Sequence, residues 1–207
     1  MFARKIRSEK GMATVEFSVL VSMALLMVFV IVDFGTLIQA QAVVTNITRE
    51  GGSLASRDLK NGPVLLDLLA DSSKPLDFKD NPQQYKIYLA KVDAGQSEAS
   101  PDPVCTFQES GSLVGVNVLP PTASSTCDLP QNLYDLLKFD EVTQVSPISQ
   151  FTVVKVYYIH KPMTPMEAIF KASGKSVMNF DYYDELGNVG DDDGINDTIL
   201  ISSKAVF

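Results

Sequence analysis

The chain has 207 residues, with 17 basic and 25 acidic side chains and a formal net charge of −8. A body this acidic is repelled by phosphate, which argues against nucleic acid as a partner and against lying on an anionic lipid leaflet. The two cysteines lack zinc-ribbon spacing, and a lone histidine (His160) with no patterned nucleophile is no catalytic centre, so the chain does not read as an enzyme.

Charge is unevenly spread. Residues 1–11 hold Arg4, Lys5, Arg7 and Lys10 against one acid, Glu9, a net of +3. Taking these from the totals leaves 13 basic and 24 acidic residues, a net of −11 for the rest. Residues 17–32 form an uncharged run of 16, about 24 Å as a helix and a little short of a bilayer core of about 30 Å. Starting at Met12 gives 21 residues and about 31 Å, but carries Glu16 into the membrane. A carboxylate there costs about 2.5–3.5 kcal/mol on insertion scales, so an intramembrane acid is a functional hypothesis by default. The basic end stays cytoplasmic by the positive-inside tendency, which places the acidic body outside. A secretory signal peptide would end in a small-residue cleavage site, whereas here a helical pattern runs on past Asp33. A plain signal anchor is the other reading, and it explains neither Gly11 nor Glu16.

The order of features, a basic leader, Gly11, Glu16 five residues later and a long apolar run, resembles the class III signal of the type IV pilin superfamily. The resemblance implies that prepilin peptidase cuts after Gly11, that Met12 becomes the new N-terminus, and that Glu16 is the acid at the fifth mature position, recognised together with Phe17. Within that superfamily, GMATVEF (residues 11–17) and IVDFGTLIQAQAVVTNITREGGSLASR (residues 31–57) are similar to the TadE/TadF-type pseudopilins of tight-adherence (Tad/Flp) pili. Glu16–Phe17, Asp33–Phe34–Gly35 and Arg49–Glu50–Gly51 carry that likeness, which covers residues 4–57. Met12 departs from the aromatic residue common at the first mature position of major pilins.

Past the membrane the helix is expected to continue. Leu37, Ala40, Val44, Ile47, Gly51 and Leu54 recur at steps of three and four, one face of a helix, and no proline occurs before Pro63. The stripe has two readings, a seat for the globular domain and a seam for neighbouring subunits, and both are expected to hold at different heights of the helix, as in the pilins it resembles. Gly51–Gly52 is the weak spot, at about 1 kcal/mol per glycine against alanine. Asp33 falls near the outer membrane boundary, where a solvated acid is the simpler reading.

Asn61–Gly62–Pro63 then breaks the chain. Residues 64–70 read as a short amphipathic helix and 71–82 as a polar loop. Residues 85–92 fit a strand, 94–103 a loop, and 104–108 a second strand containing Cys105. Residues 111–128 are rich in Ser, Thr, Pro and Gly. Cys105 and Cys127, both in the expected exterior part, are expected to form a disulfide in an oxidising compartment, closing a loop that stabilises by roughly 3 kcal/mol. Residues 133–138 suggest a helical turn or two. Residues 151–160 (FTVVKVYYIH) are the strongest strand signal, 166–172 suggest a short helix, and 198–207 a closing strand.

Residues 191–197 (DDDGIND) resemble part of a calcium loop, with Asp191, Asp193 and Asp197 as ligands around Gly194. Val189 and Leu200 stand where the first ligand and the bidentate acid belong, with Asp184 and Glu185 upstream as substitutes, so an acidic solvated turn is the first reading and calcium the second. The Asn-x-Thr sites at Asn46 and Asn196 are chance-level matches.

The expected architecture is α+β and pilin-like: a cleaved leader (residues 1–11), a long helix (12–58, with 12–33 transmembrane), and an exterior domain (59–207) with a small antiparallel sheet. The expected function is a minor pilin or pseudopilin, an assembly component of a Tad-type adhesion pilus. Its expected partners are the membrane (a single pass), prepilin peptidase, other pilus subunits and the assembly platform. It would sit in the inner membrane with its N-terminus cytoplasmic and its domain periplasmic or extracellular, or enter a surface pilus. The alternative is a permanently anchored exterior binding module, a calcium-dependent adhesin, in which the helix is only an anchor. No cofactor other than calcium is expected.

Overall fold

A computed structural model describes residues 3–57, 62–97, 99–114, 116–140, 146–161 and 199–207. Helix α1 (Ala3–Ala55) has 53 residues and is about 80 Å long. Helix α2 (Gly62–Asp71) follows, with Pro63 in its first turn, where a missing N–H leaves no intrahelical bond unmade. Leu65, Leu66, Leu69 and Ala70 of α2 point inward, while Asp67 and Asp71 face out and share Lys79 at 3.4 and 2.9 Å. These ion pairs are exposed and contribute little to stability.

Strands β1 (Tyr85–Asp93), β2 (Val104–Ser110), β3 (Gln150–His160) and β4 (Ile199–Val206) form one antiparallel sheet in the order β2-β1-β3-β4. A 3₁₀ turn at Pro121–Ala123 and a short helix α3 (Gln131–Asp135) lie between β2 and β3. The architecture is α+β, with a long apolar helix carrying a four-stranded antiparallel sheet. As its β-branched and aromatic composition predicts, β3 is central and is buried from Thr152 to His160. The expected helix at residues 166–172 lies outside the described residues.

Two layers cover the sheet. On the inner face, Ile87, Val154, Val156, Tyr158 and Ile201 pack against Ala40, Val44 and Ile47 of α1 and the leucines of α2. On the outer face, the segment between β2 and β3 folds back: Leu113 packs on Tyr88, Tyr157 and Ile159, while Cys127, Leu129 and Leu137 pack on Ala90, Val92 and Val153. Tyr88 donates its hydroxyl proton to the Val118 carbonyl (3.1 Å), pinning this cover to the sheet.

The polar loop expected at residues 71–82 contains a core residue. Phe78 is fully buried, stacked on Tyr85 at 4.5 Å and on Tyr158 at 5.5 Å. Ser73, also fully buried, fixes the loop: its hydroxyl donates to the Ala70 carbonyl (2.7 Å) and accepts the Phe78 N–H (2.8 Å). Buried polar groups satisfied in this way cost little, which permits a polar-looking segment to enter the core.

Candidate functional site: the anchoring helix and its seat

Among the described residues, nothing packs against the lower part of α1. It is long and apolar enough to cross a membrane, and no residue of its most apolar window is buried. Met12, Phe17, Met27 and Ile31 are each about two-thirds exposed. Left unburied by the described residues, these side chains have a bilayer or neighbouring helices as their natural surroundings. The Gly11–Met12 bond lies inside the continuous helix. Met12 and Glu16 are one turn apart on the same face, as i and i+4 residues must be.

The upper part of α1 is the seat. Ala40, Val44 and Ile47 are at most 2% exposed, and Leu37 and Leu54 pack against the same cluster. The stripe read from the sequence therefore carries the globular domain. The opposite side stays exposed and is mixed in character, with Gln39, Gln41, Asn46, Arg49 and Glu50 beside the exposed Ile38 and Ala42. Thr48, the stripe's one polar intruder, is satisfied internally by donating to the Val44 carbonyl at 2.7 Å.

Gly51 and Gly52 are contact points as well as a weakness in the helix. A Cβ on Gly51 would lie 2.8 Å from Leu69 Cδ1 and 3.4 Å from Val154 Cγ1, and one on Gly52 would run into the Phe207 ring. The glycine pair lets α1 approach α2, β3 and the end of the sheet more closely than any side chain would allow. Phe207 is held there by reciprocal backbone bonds with Thr152, at 2.8 and 2.9 Å.

At the membrane-proximal end of the sheet, His160 is 6% exposed, 6.4 Å from the Tyr158 ring, and its Nε2 has no hydrogen-bond partner among the described residues. Burial pushes its pKa below the ordinary value, and the Asp33 carboxylate opposes that shift. Asp33 is half-buried beneath the domain, where the sequence suggested a solvated acid.

Cys105 and Cys127 are brought together. Both are free thiols in this structure, in the same apolar cluster, and within hydrogen-bonding reach of each other. Burial, the neighbouring Cys127 thiol and the Asp128 carboxylate push the Cys105 thiol up to about 12; burial likewise raises Cys127. Beside them is an ion pair that the sequence did not reveal: Lys155 Nζ lies 2.6 Å from Asp128 Oδ2, with both side chains more than nine-tenths buried.

Asp191, Asp193 and Asp197 lie outside the described residues. Among the described residues, no group of three or more His, Cys, Asp or Glu side chains is gathered as a metal ion would require.

Compared with known families, residues 11–53 match the model described as TadE-like protein. The match begins at the glycine of the expected cleavage site and ends just past the Gly51–Gly52 contact, about a fifth of the chain. No match was found among curated proteins or among solved structures. Residues 11–53, the helix that is exposed at its lower end and seats the domain at its upper end, are the part of this chain that is similar to the TadE-like family.

Proposed function

We propose that this protein is a minor pilin or pseudopilin of a Tad-type adhesion pilus, acting as an assembly component. The observation that carries the reading is the coincidence of the TadE-like match, residues 11–53, with a helix that is unpartnered below and packed on the domain above. Prepilin peptidase would cut after Gly11, reading Glu16 and Phe17, and leave Met12 as the mature N-terminus. The helix would hold the protein in the inner membrane as a single pass, with the acidic domain on the periplasmic side. From there it meets other pilus subunits and the assembly platform.

The physical logic runs through Glu16. A carboxylate in lipid seeks a cation, and cleavage creates one in the free ammonium of Met12. Pairing that ammonium with the Glu16 of a neighbouring subunit would favour the correct axial register of helices during assembly. No charged or polar side chain within the exposed run of residues 17–32 competes for that pairing beyond serine hydroxyls, which bond back to their own helix: Ser18 to the Val15 carbonyl and Ser22 to the Ser18 carbonyl, both at 2.8 Å.

The test is co-expression with a prepilin peptidase, followed by N-terminal sequencing. The mature chain should begin at Met12, and Gly11→Val should block processing by crowding the cleaved bond. An intact leader on protein recovered from a piliated source would overturn the reading in favour of a permanent anchor.

A further inference from the structure

Cys105 stands on β2 opposite Val92, on the outer face of the sheet. Cys127 reaches it from the covering segment, and the next residue, Asp128, is clamped to Lys155 in the middle of β3. Cys127 and Asp128 both adopt left-handed backbone, with φ of 54° and 61°. Two successive non-glycine residues do not hold that conformation without outside support, although Asp tolerates it better than Cys. That support comes from the buried ion pair, which fixes the chain one residue from the sulfur. Lys155 is itself fixed by register, opposite Tyr88 on β1 and Lys204 on β4. Among the described residues β2 is an edge strand, paired only with β1, so a bond at Cys105 would tie the cover to an edge of the sheet.

We propose that Cys105 and Cys127 are joined by a disulfide in the exported protein, and that Lys155 and Asp128 are the positioning pair that presents one sulfur to the other. The exported location rests on the reading above; the geometry does not. The oxidant is a protein or small-molecule disulfide acting by thiol–disulfide exchange. Cys105, the less buried of the two, attacks as thiolate and forms a mixed disulfide, releasing one thiol of the oxidant. Cys127 then displaces the second oxidant thiol and the Cys105–Cys127 bond forms. The two protons lost by the cysteines and the two electrons end on the oxidant's dithiol. Both thiols are disfavoured as thiolates once the cover has closed, so the first attack belongs to the open cover and the ion pair guides the second.

The experiment uses the full chain in detergent, reduced and denatured, then refolded in a glutathione redox couple. Peptide mass spectrometry without reductant should find one intramolecular bond, Cys105 to Cys127. Free thiols under these conditions overturn the disulfide wherever the protein resides. A bond formed in vitro but thiols found free on membrane-extracted protein would overturn the exported location instead. For the positioning pair, Asp128→Asn keeps shape and left-handed tolerance but removes the charge, and should slow oxidation about tenfold or more, as lost positioning does. Lys155→Arg, which keeps the charge, should oxidise at near the wild-type rate. Phe78→Ala, which weakens the opposite core without touching the thiols, is the control. If Asp128→Asn and Phe78→Ala slow oxidation equally, the ion pair acts only through stability and its positioning role is overturned.

Discussion

Gly52 of α1 and Phe207, one residue past β4, occupy a single contact: any side chain at Gly52 would enter the space of the Phe207 ring. The C-terminal end of α1 and the residue that follows β4 therefore meet. In isolation Gly52→Ala would favour the helix by about 1 kcal/mol. Overpacking against the Phe207 ring, or displacing it from its contact, costs about 1–3 kcal/mol. The expected outcome is a net loss of stability, measured by denaturation of the detergent-solubilised chain. In a Phe207→Ala background the obstacle is gone, and Gly52→Ala should become stabilising by about 0.5–1 kcal/mol. Equal losses in both backgrounds would show that the ring is not what the glycine accommodates.

Phe78 should behave as a core residue despite its polar neighbours. Replacing it with alanine removes two aromatic stacks and leaves a cavity under Tyr85 and Tyr158. The expected destabilisation is about 3–5 kcal/mol. A change below about 0.5 kcal/mol, typical of surface sites, would place the residue in a surface loop.

His160 predicts an acid-side loss of stability. Its folded-state pKa is depressed by burial, so the unfolded chain binds a proton more readily. The stability that neutral His160 confers is present above the unfolded value near 6.5 and is lost as pH falls from there through the depressed folded value. One proton sets a slope no steeper than about 1.4 kcal/mol per pH unit. Unfolding midpoints compared between neutral and mildly acidic pH should show the wild type losing stability relative to His160→Phe as the pH falls. Parallel curves would mean that His160 is solvated.

Glu16→Ala separates insertion from assembly. Removing a carboxylate from lipid relieves about 2.5–3.5 kcal/mol, so membrane insertion should be unchanged or improved. Assembly should nevertheless fail, because the Met12 ammonium loses its partner. Surface pili at wild-type level, carrying this variant, would leave Glu16 with no part in assembly.

The elements legible in the sequence are those whose signals are local. The apolar run, the stripe from Leu37 to Leu54 and the β-branched run of β3 each follow from period and composition within a dozen or two residues, because helix and strand place their side chains at fixed intervals. The TadE-like likeness is local in the same sense, and the family match falls on those residues. Tertiary structure alone showed at which height the stripe seats the domain, since the same helical face could meet a domain or another subunit. It also placed Phe78 in the core, where a serine satisfies the backbone of a loop that looks too polar to enter. Gly51–Gly52 read as a defect because propensity counts backbone freedom and not the Leu69, Val154 and Phe207 atoms that fill the space. The Lys155–Asp128 pair was invisible for a related reason. A lysine in the middle of an apolar strand and an aspartate 27 residues earlier acquire meaning only when the sheet and its cover bring them to 2.6 Å, because burial makes the partner of a charge as consequential as the charge itself.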